Sequence, residues 1–221
     1  MPLTSRQVKK EIDDITTCLI EVGLSVSQNF ANTKTNSHGV FVSFEGASNI
    51  TVALKNLPYI ELYRELLKSK SYNIKMIDGA LIQLMYQFGE NALSSHRLTY
   101  FPSPNLEDYQ NARINYEKDT LYGDVVRENI VPFPVRFDFS IDQHSYREIY
   151  HSYCHMTLGE FNHCRVPVDA PLTPFQFISF VLRHFYVEDR EEKVNRLYAK
   201  ANRAFESFLS EDEKKVSYFR P

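Results

Sequence analysis

Several motifs that mark common enzyme classes are missing from this sequence of 221 residues. There is no glycine-rich phosphate-binding loop, no Gly-x-Ser-x-Gly segment and no Cys-x-x-Cys pair. Each of those patterns supplies one specific chemical group. Their absence disfavours ATP hydrolysis, serine-hydrolase chemistry and a zinc finger.

Cysteine and long apolar runs are also scarce. Cys18, Cys154 and Cys164 are an odd and sparse set, which favours reduced thiols over a disulfide framework. The longest strongly apolar stretch, residues 175–182, is far shorter than the ~20 residues that span a bilayer. The opening residues lack the apolar segment of a secretory signal. We therefore expect a cytoplasmic protein with no membrane partner.

Positive charge is not in excess. The net charge of -3 gives no support to a basic protein that coats nucleic acid, although it leaves a local basic patch open. Aromatic residues are plentiful, with 14 tyrosines and 16 phenylalanines. We expect them to dominate the core and to be available for an interface.

Apolar residues at helical spacing predict helices at both ends of the chain. An amphipathic helix is expected over residues 4–22, where Thr4 and Gln7 have the form of a capping box. Pro174, between a capping-box pair at Thr173 and Gln176, gives a strong start signal for a second helix. A final helix is expected from about residue 189 to 209.

Two-residue alternation between these ends predicts strands. A hairpin is expected over residues 80–101, and the segments PVRFDFS, HSYCHMTLG and HCRVPV follow later as further strands. No repeat, low-complexity tract or linker interrupts the chain. We therefore expect residues 1–221 to form a single α+β domain. In this domain an N-terminal amphipathic helix and two C-terminal helices pack on a mostly antiparallel sheet.

Three histidines and two cysteines are concentrated in residues 151–168, HSYCHMTLGEFNHCRVPV. Side chains alternate between the two faces of a strand. If the last three predicted strands are neighbours, alternation places both cysteines in the core, where a reduced thiol behaves as a small hydrophobe. The opposite face then carries four polar side chains: Arg136, Asp138, His155 and Arg165.

One interpretation of this cluster is a metal site. His151 and His155, together with His163 or Asp138, are side chains of the types that bind a divalent metal. A divalent metal is the one possible cofactor that this sequence indicates. The His-x-x-x-His spacing, however, suits one face of a helix, whereas the segment that follows reads as a strand.

Two other interpretations are open. In a catalytic site, Asp138 orients His155 as a general acid or base. Arg136 and Arg165 then hold an anion such as phosphate, a mixture suited to cleavage or transfer at a phosphodiester. In the third interpretation the charged residues form a structural ion-pair network, which is a common arrangement.

A family resemblance covers most of the chain from about residue 76 to 187. The segments DGALIQ, HRLTYFPSP, RFDF, HMTLGEFNHCRVPV and LTPFQFISFVLRHFY resemble a bacterial family known as a domain of unknown function, DUF2290. The shorter RFDF…H…H core is also similar to a small toxin-like family of toxin–antitoxin loci. The first resemblance implies a bacterial cytosolic protein. Families of this kind often lie in defence loci beside ATPases or nucleases, so a partner from the same operon is implied.

Two functional hypotheses follow. The leading one is an accessory or effector subunit of a bacterial anti-phage defence or toxin–antitoxin type system, acting through protein–protein contacts. Two features of the sequence suit an interface, namely its high content of aromatic residues and the tyrosine-bearing segment 105–130. The rival is a nuclease-like, phosphodiester-acting effector that uses the Asp/His/Arg face, with metal assistance left open.

Overall fold

The computed structural model describes residues 3–45, 47, 57–90, 92–104, 133–159, 164–186 and 192–220. Within these ranges the helices are α1 (Ser5–Glu21), α2 (Tyr59–Lys68), α3 (Pro174–Phe185) and α4 (Glu192–Lys200), with a 3-10 turn at Glu213–Lys215. The strands are β1 (Ser25–Gln28), β2 (Asn32–Asn36), β3 (Gly39–Ser43), β4 (Ile74–Met76), β5 (Leu81–Phe88), β6 (Leu93–Phe101), β7 (Val135–Ser140), β8 (Cys154–Leu158) and β9 (Arg165–Pro167). The predicted α+β class is confirmed.

All nine described strands belong to one sheet. The main path runs in the order β1-β4-β5-β6-β7-β8-β9, and β3 pairs with both β2 and β5. Each of these pairings is antiparallel. From β5 to β9 the strands are neighbours in chain order, so side chains from distant parts of the sequence lie in continuous rows across the sheet.

One face of the sheet forms the main core. Helix α1 buries Val8, Ile12, Ile15 and Leu19, as its apolar spacing predicts. Helix α3 brings the Phe177 ring to 5.9 Å from the ring centroid of Phe137 on β7. Helix α4 contacts α3 and α1. Helix α2 contributes to a smaller apolar cluster on the opposite face, where its Leu66 joins Leu81 and Phe101 of the β5–β6 hairpin.

Both predicted capping boxes are present. Thr4 and Gln7 bond reciprocally at the start of α1, and Thr173 and Gln176 do the same at the start of α3. Each box satisfies backbone N–H groups that have no partner within the helix. The sequence therefore identified the starts of these two helices correctly.

The final helix is shorter than its apolar pattern predicts. Helix α4 ends at Lys200, and residues 201–210 are not helical. Arg203 and Ser207 bond instead to the Asp169 carboxylate, at 2.7 and 2.6 Å, and the backbone N–H of Phe208 bonds to the Asp169 carbonyl. These tertiary hydrogen bonds hold this part of the chain in a non-helical conformation. The predicted interface segment 105–130 lies outside the described residues.

Candidate functional site

The sheet register brings the four predicted polar residues onto one face. Asp138 on β7 lies opposite His155 on β8, and Arg136 lies opposite Thr157. Thr157 in turn lies opposite Arg165 on β9. Directly opposite residues in an antiparallel pair share a face. The juxtaposition that alternation predicted is therefore present, while a catalytic role for these residues stays a prediction.

Asp138 is the centre of the charged network. The Arg97 Nε donates to Asp138 Oδ1 at 2.9 Å, and the Arg136 Nε donates to Oδ2. Burial acts to raise the pKa of Asp138, but the two guanidinium groups outweigh it and hold that pKa below its usual range. The carboxylate is therefore charged at neutral pH and fixes the direction of two arginine side chains.

His155 is held by the backbone rather than by Asp138. Its Nδ1 lies 2.9 Å from the carbonyl oxygen of Ser152, and a carbonyl can only accept, so Nδ1 carries the hydrogen. The neutral ring then has its lone pair on Nε2, which lies 3.8 Å from Asp138 Oδ2. Burial lowers the pKa of His155, so the neutral ring predominates near pH 7.

His151 lies beside His155. The two ring centroids are 4.8 Å apart in an edge-to-face arrangement. Burial, and then the charge of Arg165, lower the pKa of His151. The two imidazoles therefore form a close pair at one end of the polar face.

The metal interpretation lacks its third ligand among the described residues. In those ranges no group of three or more His, Cys, Asp or Glu side chains is arranged to hold a metal ion. Asp138, the alternative ligand, has one arginine on each carboxylate oxygen. His163 lies outside the described residues, so the predicted site at His151, His155 and His163 stays a prediction.

A groove of about 1240 Å³ lies over the polar face. The charged side chains among its described lining residues are Arg97, Arg136, Arg165, Asp138 and Asp142, with His151 and His155 beside them. Among these described side chains, three arginines against two aspartates give a local charge of +1 when the three lining histidines, His96, His151 and His155, are neutral. This local excess contrasts with the net charge of -3 for the whole chain, and it favours an anionic ligand.

Two threonines on the groove floor have unused hydroxyl groups. Thr99 and Thr157 lie opposite Arg136, on β6 and β8 respectively. They are only 1% and 7% exposed, yet neither hydroxyl has a hydrogen-bond partner in the described protein. Buried polar groups are normally bonded, so this pair of unbonded hydroxyls on the two residues opposite Arg136 is a feature that a ligand can satisfy.

Sequence reasoning missed the contribution of β6. Along this strand Arg97 and Thr99 lie on the polar face, and they alternate with His96 and Leu98. His96 and Leu98 are buried on the other face, in the main core. The alternation was visible in HRLTYF. What was not visible was that β6 pairs with β7 in a register that sets Arg97 opposite Asp138.

Comparisons with known proteins give one description and no activity. The model of a family described as "Uncharacterized conserved protein (DUF2290)" matches residues 24–220, a range that includes the nine strands of the described residues and the polar face. Comparisons with curated proteins and with solved structures give no match. The similarity to a small toxin-like family is not supported.

Proposed function

The chain belongs to the DUF2290 family, and we propose that this member is a phosphodiester-acting effector that binds nucleic acid along the groove of its polar sheet face. The observation that carries this proposal is the row formed by Thr99, Arg136 and Thr157. It places Arg136, in the register of the strands, between two threonines whose buried hydroxyl groups have no partner in the described protein.

This row matches the chemistry of a phosphate group. Phosphate oxygens accept hydrogen bonds from guanidinium and hydroxyl donors, and bonds to charged donors are the stronger ones. A guanidinium has five N–H donors, and the Nε of Arg136 is used by Asp138. Since Asp138 also binds Arg97, one carboxylate orients two arginines while leaving their remaining N–H groups for a ligand.

Fluorescence anisotropy with a labelled pool of short, random-sequence single-stranded RNA tests the binding. We expect salt-dependent binding, because phosphate contacts release counterions. Arg136→Ala should weaken it about tenfold and flatten the slope of log affinity against log salt by about 1.

A matched control is available on α4. Arg196 is 70% exposed and pairs with Glu192 at 2.8 Å, and it does not line the groove. Arg196→Ala should bind like the unaltered protein. Equal losses in both variants, or no salt-dependent binding by the unaltered protein, would contradict the proposal.

A second candidate function is the subunit role, and the connection between β7 and β8 favours it. Ile141 and Tyr150 in this connection are 51% and 78% exposed. Ile149 has a φ of 68°, a left-handed conformation that costs a β-branched residue about 1–3 kcal/mol. Mutual backbone bonds between Arg147 and His151 hold the tip in place. An exposed apolar tip maintained at such a cost suits a protein contact.

The partner class comes from the family resemblance. It favours another protein of the same operon, such as an ATPase or nuclease, in a cytoplasmic anti-phage defence or toxin–antitoxin type system. No helix in the described part of the chain is long and apolar enough to cross a membrane. A tagged pull-down from the native locus tests this candidate. A stoichiometric partner that survives high salt and is lost with Tyr150→Ser supports it, and a chain that purifies alone contradicts it.

A further inference from the structure

We infer that the substrate class of the groove is RNA, with His155 taking the proton of a ribose 2′-hydroxyl and His151 giving a proton to the departing 5′-oxygen. This inference rests on the proposed function, because it needs a phosphodiester in the groove. It goes further by naming the nucleophile, the two proton-transfer residues and the products.

The source of the nucleophile points to RNA. Among the described residues, no hydroxyl or thiol hydrogen-bonds to the ring of His151 or His155; the Nδ1 of His155 bonds to the Ser152 carbonyl, and the two rings contact each other. Cys154, the nearest thiol in sequence, is 2% exposed in the main core. A site with proton-transfer groups and anion donors but no activated side chain needs a nucleophile from elsewhere. In RNA the 2′-hydroxyl beside each phosphodiester supplies it.

His155 is set up to accept a proton at one defined atom. The Ser152 carbonyl accepts from Nδ1, which fixes the tautomer and leaves the lone pair on Nε2. Asp138 Oδ2 is 3.8 Å from this nitrogen, too far for a hydrogen bond. A substrate hydroxyl can therefore donate to Nε2, and the proton it delivers there is stabilised by the Asp138 charge.

The remaining groups fit the other needs of the reaction. The imidazole of His151, with its centroid 4.8 Å from that of His155, is near enough to serve the second oxygen bonded to the same phosphorus. Arg136 and the two unpartnered threonine hydroxyls are positioned on the neighbouring row of the same face. They can hold the non-bridging oxygens, whose charge grows in the transition state.

The step balances without an added reagent. The 2′-oxygen forms a bond to phosphorus as its proton moves to His155 Nε2. The bond from phosphorus to the 5′-oxygen breaks, and that oxygen takes a proton from His151, which reacts in its protonated form, the minor form near pH 7 because burial and Arg165 lower its pKa. The products are a 2′,3′-cyclic phosphate and a 5′-hydroxyl end, with His155 protonated and His151 neutral. Solvent exchange then restores both rings.

The test compares two ligands on the unaltered protein. One is the short random-sequence RNA pool, and the other is the same pool with 2′-O-methyl groups, which has no 2′-hydroxyl proton. We expect both pools to bind, only the first to be cut, and mass spectrometry to find 2′,3′-cyclic phosphate ends. Binding without cleavage of RNA would overturn this inference and leave the proposed binding function standing. Cleavage of the methylated pool, or fragments without cyclic ends, would overturn it in favour of water as the nucleophile. Absence of binding would overturn both.

Two histidine variants test the assigned roles. His155→Ala and the bulkier His155→Gln should each cut RNA at least about a hundredfold more slowly. Both variants should still bind the methylated pool, with a loss of affinity much smaller than the loss of cleavage rate. The control is His184→Ala on α3, since His184 is exposed and does not line the groove. Full cleavage by either folded His155 variant would contradict the assignment.

Discussion

The carboxylate of Asp138 and the imidazole of His155 lie opposite each other on β7 and β8, but Oδ2 and Nε2 stay 3.8 Å apart. Both groups have closer partners, namely two arginines on the carboxylate and the Ser152 carbonyl on Nδ1. Nε2 therefore stays available in the neutral ring, while Asp138 is near enough to stabilise a proton that arrives there.

Replacing Asp138 separates a functional network from a purely structural one. Arg97 and Arg136 are 49% and 37% exposed, so they can turn into water once the carboxylate is removed. We expect Asp138→Asn to lower the free energy of unfolding by about 1–2 kcal/mol, and to weaken RNA binding because both arginines lose their orientation. Urea denaturation and anisotropy measure the two effects.

The control for this variant is Asp212→Asn, since Asp212 forms an exposed pair with Lys215. It should change neither quantity. A loss of about 3–5 kcal/mol in Asp138→Asn, the cost of breaking a fully buried pair, together with unchanged RNA binding would support the structural interpretation instead.

Replacing either of the two unpartnered threonines, Thr99 and Thr157, should have opposite effects on stability and on RNA binding. Replacing a buried, unbonded hydroxyl by a methyl group removes a desolvation cost. We expect Thr99→Val and Thr157→Val each to raise the free energy of unfolding by about 1 kcal/mol, while weakening RNA binding. Urea denaturation with and without the 2′-O-methyl pool measures both.

Thr16 provides the matched control for the threonine variants. It is as buried as Thr99, but its hydroxyl donates to the Ile12 carbonyl at 2.8 Å. Thr16→Val should lower the free energy of unfolding and leave RNA binding unchanged. Stability losses in the Thr99 and Thr157 variants would show that those hydroxyls already have partners.

We expect His96 to make the stability of the fold sensitive to mild acid. It is buried in the core, where its Nε2 accepts from the backbone N–H of Leu172 at 3.2 Å, and burial lowers its pKa to about 4. The unfolded chain takes up this proton near pH 6.5. The stabilising contribution is therefore complete above pH 6.5 and is lost as the pH falls towards 4.

The expected size of this loss is about 3 kcal/mol. His96→Gln keeps an acceptor for Leu172 but does not titrate. We expect urea denaturation to show a smaller stability decrease between pH 7 and pH 4.5 in this variant than in the unaltered protein. Parallel pH profiles for the two proteins would contradict this role of His96.

The contribution of Glu11 on α1 to stability depends on pH in the direction opposite to that of His96. Burial is the main cause that raises its pKa to about 7, and its Oε2 has no hydrogen-bond partner in the described protein. Since the pKa of Glu11 is higher in the folded chain than in the unfolded chain, the contribution of Glu11 to stability is complete below about pH 4.5 and is lost as the pH rises through 7.

We expect Glu11→Gln to raise the free energy of unfolding by about 1 kcal/mol at pH 8, a value reduced because the side chain is partly exposed. At pH 4 the variant and the unaltered protein should be equally stable, and an equal gain at both pH values would contradict this assignment.

Local patterns were sufficient for part of the fold. Apolar spacing and capping boxes located α1 and the start of α3, because both signals depend on residues within one or two turns. Alternation placed Asp138 and His155 on one face because their strands are neighbours in chain order. The early end of α4 at Lys200 was not predictable in this way, since it depends on hydrogen bonds to the distant Asp169.

The candidate site was predicted only in outline. Arg97 and Thr99 join it through the register between β6 and β7, and register is set by pairing between segments far apart in sequence. That the hydroxyls of Thr99 and Thr157 are buried without partners is a tertiary property. No local spacing of residues could show it.

The most direct test of the groove is NMR of the seven histidine rings during titration with the 2′-O-methyl RNA pool. We predict saturable shifts of the His151 and His155 imidazole signals at the concentrations where anisotropy detects binding. The exposed rings of His38 and His184, which do not line the groove, should stay unchanged. Binding that leaves His151 and His155 unmoved would contradict the assignment of this groove as the nucleic-acid site.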